Sequence, residues 1–245
     1  MDNGDEPLEI EKDILLDEES PLKRIDLKTR EITNINELEG YIYSCGQALA
    51  LVSTSVDKAR LSIELLECSY DLSPKGTKYT AAEFIEFAIE NYFLRSAAIY
   101  DRCLIFMNKL LNLGISNESI GHELIITNEH IKKYNLAEKL KSVRKKCTEY
   151  RVERNHIVHH GRYNGNENFY GMTAIHKANS LQLAMGVKSS FDQALIDEIT
   201  REIIETQVSE FKSHLKSINS AVKALYEVAL PVYHLKKSEI KKTML

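Results

Sequence analysis

Apolar residues recur at steps of three and four along most of this chain, with polar residues between them. That period is the mark of amphipathic helices. From Ile35 to about Asp71 the recurring positions are Ile42, Leu49, Val52, Val56, Ala59, Ile63, Leu66 and Tyr70. They predict one long helix, ended by the turn signal Ser73-Pro74-Lys75-Gly76. Thr80 followed by Glu83 reads as a capping box that opens a second helix, with Gly114 as its C-cap. This helix carries Phe84, Phe87, Ile89, Phe93, Leu94, Ile99, Leu104, Phe106 and Leu110 around most of its circumference, so it is expected to be central and buried. Residues 115–134 read as a connection with one short helix after Asn128. A third helix is predicted from Leu136 to Gly161 on the stripe Leu136, Leu140, Val143, Cys147, Tyr150, Arg154 and Ile157. Residues 162–190, rich in Asn, Gly and Ser, read as a long loop or small hairpin. The last helix starts at Phe191 on the seam Ile204, Val208, Phe211, Leu215, Ile218, Val222, Leu225 and Ala229, and Pro231 is expected to end it.

The expected fold class is therefore all-α, an antiparallel bundle of four to five long helices. Residues 34–235 make one helical domain, with residues 1–33 as an acidic, poorly ordered arm and 236–245 as a basic tail. Four prolines and ten glycines in 245 residues leave few breaks for anything but long helices. No run approaches the ~18 apolar residues of a membrane span, so no membrane association is expected. The N-terminus is the reverse of a basic signal peptide. Cys45, Cys68, Cys103 and Cys147 are scattered without a CxxC pair inside apolar helical patterns, which predicts buried free thiols in a cytoplasmic protein. The net charge of −4 is unevenly spread. Residues 1–20 hold nine acids against Lys12, a net of −8, whereas residues 128–163 hold ten Lys and Arg against four Glu, a net of +6. One basic segment in an acidic chain points to a local anion site rather than to general nucleic-acid coating.

Within that segment lies Tyr150-Arg151-Val152-Glu153-Arg154-Asn155-His156-Ile157-Val158-His159-His160-Gly161-Arg162-Tyr163, with three histidines in five residues. Arg154 falls on the apolar stripe of its predicted helix. A guanidinium directed at a bundle interior needs a carboxylate or another anion, since an isolated buried charge is prohibitively costly. Asp101 and Arg102 interrupt the apolar run of the second helix and find no opposite charge three or four residues away, so Asp101 is a candidate partner for Arg154 or Arg151. His156 and His160 are four apart, a spacing that can clamp zinc. However, no HExxH glutamate lies between them and no third ligand is evident, and no metal or cofactor is expected. Cations closing a helix C-terminus, where they complement the dipole, are the simpler account of His160.

Arg154-Asn155-His156-Ile157-Val158-His159 resembles the Arg-x4–6-His motif of HEPN domains, in which a polar residue commonly follows the arginine. The resemblance extends over the helical region from about residue 36 to 230. It implies a helical homodimer that binds or cleaves RNA without metal, two motifs facing each other across a shared cleft. Carried over, Arg154 and His159 are the catalytic pair and Asn155 the polar neighbour. An imidazole can move a proton near neutral pH, and a guanidinium can grip a phosphate with two parallel hydrogen bonds. Arg154–His160 and Arg151–His156 are alternative registers. Arg154 with His159 is favoured because Asn155 follows that arginine and lies four residues before the histidine, on one face. The family commonly implies a toxin or defence role and a restraining, antitoxin-like protein partner. A non-catalytic RNA- or nucleotide-binding module, or a helical scaffold, is the alternative.

Overall fold

The computed structural model describes residues 6–26, 28–29, 31–70, 79–163, 165 and 167–244. Their regular structure is helical throughout. The chain forms α1 (Glu9–Leu15), a 3-10 turn (Pro21–Arg24), α2 (Glu37–Cys68), α3 (Ala81–Leu110), a second 3-10 turn (Asn117–Ser119), α4 (His122–Ile126), α5 (Glu129–Lys133), α6 (Leu136–Cys147), α7 (Arg151–His160), α8 (Glu167–Ala184) and α9 (Gln193–Thr243). The all-α class is as the periodicity predicts. These helices divide into two compact units, Met1–Ser55 with Ala98–Cys147 and Ile218–Leu245, and Val56–Ala97 with Thr148–Ser217.

In the first unit, Ile42, Cys45 and Leu49 of α2, Cys103, Phe106 and Met107 of α3, Leu136, Leu140 and Val143 of α6, and Leu225 and Tyr233 of α9 are all buried. The part of the acidic arm around α1 belongs to this core, contrary to expectation. Glu11 accepts the Leu8 N–H at 3.0 Å and closes the start of α1. Ile10 and Ile14 are then buried, which stabilises by roughly 1.5–3 kcal/mol each. Behind α1, the Asp17 carboxylate accepts from the Tyr233 hydroxyl at 2.7 Å and pairs with Lys237 at 2.6 Å, while Glu19 pairs with Lys241 at 2.7 Å. The acids of the arm thus find the cations of the supposed basic tail. That tail is helical: α9 passes Pro231 and ends at Thr243. A proline inside a helix forfeits one hydrogen bond and crowds the preceding turn. Here it sits on the exposed side, and burial of Val232 and Tyr233 together with the Lys237 ion pairs keeps the chain helical beyond it. In the connection before α6, Asn128 caps α5 through its side chain, which accepts the His130 N–H at 2.9 Å; α4 is a further short helix that the sequence reading did not separate.

The second unit has an aromatic centre. Tyr92 stacks on Phe211 with centroids 3.9 Å apart, and Phe93 sits 5.0 Å from Tyr150 and 5.5 Å from Tyr163. The Thr80–Glu83 capping box is formed, with the Thr80 N–H donating to Glu83 at 2.7 Å. Against expectation, α3 is not buried on all sides: Phe87 and Leu94 are exposed. Residues 162–190 are not a loop or hairpin, because most of them form α8. Its Asn, Gly and Ser are poor helix formers, but Phe169 and Met172, three apart, bury one narrow stripe and override that weakness. Of the cysteines, Cys45, Cys103 and Cys147 are buried free thiols, whereas Cys68 at the end of α2 is exposed. The predicted turn at residues 73–76 lies outside the described residues.

Candidate functional site

The helix carrying the histidines is separate from the one before it. After Cys147 the chain leaves helical conformation, Tyr150 adopting φ −100° and ψ 35°, and restarts at Arg151. The Tyr150 ring drives this break. It packs between Phe93, Phe211 and His214, 4.7 Å from the histidine ring, and its hydroxyl donates to Glu210. Burial and that neighbouring carboxylate push the phenol well above its ordinary range. The restart resets the helical phase, so of the stripe read through from Leu136 only Ile157 is buried in α7. Arg154 is exposed, not directed inward. It therefore needs no buried counter-charge. What survives is the composition of an exposed helix.

Arg151, Arg154, His159 and His160 are exposed on α7, while Asn155 and His156 are half-buried. One Arg154 N–H donates to the Asn155 amide oxygen at 3.3 Å. Arg154 and His159 are five residues apart, hence about 140° apart around the helix and about 7.5 Å along it. His156, His159 and His160 share one sector instead, and the rings of His156 and His160 lie 4.6 Å apart. Asp101 is exposed and Arg102 half-buried, and both belong to the first unit, whereas α7 belongs to the second.

The C-terminus of α7 is the most constrained part. Gly161 takes φ +76°, the left-handed conformation that only glycine adopts without cost, and its N–H caps Ile157 at 2.9 Å. The next residues fold back. The Arg162 carbonyl meets His156 Nδ1 at 3.0 Å, and the Tyr163 N–H donates to Glu90 Oε1 of α3 at 2.6 Å. Tyr163 wedges between Phe93 and Phe169, and burial raises its phenol to about 12. Glu86, one turn before Glu90, is half-buried too. Burial raises both carboxyls; the nearby Glu90 raises Glu86 further, Arg162 acts against that, and the Tyr163 N–H partly offsets the rise at Glu90. The sequence reading missed these two carboxylates. Their signal was present: like charges four apart on an otherwise apolar helix repel unless something fixes them.

Among the described residues no group of three or more His, Cys, Asp or Glu is disposed to hold a metal ion, and no helix is long and apolar enough to cross a membrane. Residues 29–229 match the model of the Cthe2314-like HEPN family. No curated protein and no solved structure matches the chain.

Proposed function

The chain belongs to the Cthe2314-like HEPN family, and on that premise we propose that it is a metal-independent endoribonuclease acting as a homodimer. The observation that carries this reading is the exposure of Arg154 and His159 on one helix, about 140° apart. A single helix presents the two groups in different directions. Two copies of α7 facing across a two-fold axis bring Arg154 of one copy toward His159 of the other. Exposed apolar residues accompany both: Val158 lies one turn beyond Arg154, and Val152 lies two turns before His159. Apolar residues interleaved with arginine suit a surface that another copy covers. In the shared cleft the guanidinium holds the phosphate and stabilises its developing charge, while imidazoles move protons at the ribose 2′-oxygen and the leaving 5′-oxygen. A role in toxin–antitoxin or defence systems, with a protein that restrains the nuclease, follows from the same reading.

The test is incubation of the purified protein with a broad set of RNAs in EDTA. Cleavage is expected, and Arg154→Ala and His159→Ala should each reduce it at least about 100-fold. Co-expressing the two inactive variants should restore activity, because each mixed dimer regains one complete site. Intact RNA throughout rejects the nuclease reading. Binding without cleavage that falls steeply with salt would instead identify a phosphate-binding module.

A further inference from the structure

We propose that His156 is a second, pre-oriented imidazole of this site, the proton acceptor that pairs with His159, and that Glu90 positions it through the turn after α7. The chemistry rests on the ribonuclease reading; the positioning does not.

A backbone carbonyl only accepts hydrogen bonds. At 3.0 Å from the Arg162 oxygen, His156 Nδ1 must therefore carry the proton, which leaves Nε2 as the lone-pair nitrogen of the neutral ring. The carbonyl is itself held. Gly161 turns the chain back at φ +76°, and Glu90 on α3 grips the same peptide through the Tyr163 N–H at 2.6 Å. The Tyr163 ring is locked between Phe93 and Phe169. Carboxylate, peptide and imidazole thus form one chain of hydrogen bonds from a rigid helix to a histidine ring, the kind of outer support that fixes tautomer and orientation. The His160 ring lies against it, tilted by 37° with centroids 4.6 Å apart. The titratable and charged groups of this region are Glu153 and His160, one turn from His156 on α7, Arg162 in the turn, and on α3 Glu90, which holds the turn, with Glu86 near Arg162. His159 is exposed.

The two histidines are three residues apart, about 60° around the helix, so one copy presents both to the same phosphodiester. In the step, His156 Nε2 takes the proton of the ribose 2′-hydroxyl and O2′ attacks phosphorus. The P–O5′ bond breaks, and protonated His159 gives its proton to the departing O5′. The products are a 2′,3′-cyclic phosphate and a 5′-hydroxyl, and the two rings exchange protonation states before the next cycle.

Side-chain 15N NMR of the intact protein, recorded where the histidines are neutral, tests the positioning. His156 should show a protonated Nδ1 and a bare Nε2. Glu90→Gln keeps an oxygen acceptor and should preserve this pattern, whereas Glu90→Ala should shift His156 toward the Nε2-protonated form usual for free histidine. A wild-type His156 protonated on Nε2 overturns the proposal without need of any variant, as does an unchanged pattern in folded Glu90→Ala. For the chemistry, His156→Gln should slow RNA cleavage at least about 100-fold and remove the rise of rate with pH on the acid side. A His156→Gln protein with the wild-type rate and profile overturns the acceptor role. If the wild-type protein cleaves no RNA, the nuclease reading falls, and the NMR result still decides what Glu90 does.

Discussion

Arg154 and His159 stand on the outer side of α7 with almost no packing to lose. Replacing either with Ala should leave stability within about 0.5 kcal/mol, measured by urea denaturation, while removing function. Tyr92 is the opposite case. Its buried hydroxyl bridges His214 Nδ1 at 2.7 Å and the Phe211 carbonyl at 3.1 Å. Tyr92→Phe keeps the ring stacked on Phe211 but removes both buried hydrogen bonds of the hydroxyl, and should cost about 1–3 kcal/mol in the same experiment. The contrast separates residues the fold requires from residues it only displays. The sequence could not make that distinction for Arg154, because a stripe drawn across residues 136–157 assumes an unbroken helix. One aromatic ring, Tyr150, invalidated the assumption.

The helices that the periodicity located best are α2, α3 and α9, each with a long buried stripe that dominates its local sequence. Their ends were less legible, and α8 was missed altogether. Its sequence lacks a broad apolar face, and the few buried side chains along it have to hold a run of weak helix formers. Phe169→Ala should therefore cost about 3–5 kcal/mol, and amide hydrogen exchange should show α8 opening ahead of α3. A helix equally protected in the variant would mean that local propensity sustains it after all. The end of α7 depends on Gly161, at whose position an added Cβ meets nothing within 4 Å. Gly161→Ala thus tests conformation without a clash. It should destabilise by about 1–2 kcal/mol through the left-handed φ alone.

The clamp between the N-terminal arm and the end of α9 gives the first unit a pH dependence with a definite sign. Burial alone would raise the Asp17 carboxyl, but the hydrogen bonds from Lys237 and Tyr233 outweigh it and hold it below its ordinary value. Glu19 is lowered by hydrogen bonds from Lys241 and Lys237. Groups lowered in the folded state contribute stability above their unfolded values, and that contribution fades as pH falls through the folded ones. Acid should therefore release the arm, seen as loss of amide protection in α1, and Asp17→Asn should show a weaker acid dependence after an initial loss of about 3 kcal/mol. Helical class, the approximate span of the long helices and the Arg-Asn-x3-His motif were all written in the linear order of residues, because helix periodicity and short motifs are local. The arm's docking, α8, the phase of α7 and the link from Glu90 to His156 were not. Each depends on groups far apart in sequence meeting at one place: Asp17 with Lys237, Tyr150 with Phe93 and Phe211, Glu90 with Tyr163. Such meetings are set by burial and hydrogen-bond satisfaction in the packed chain, which no local period encodes.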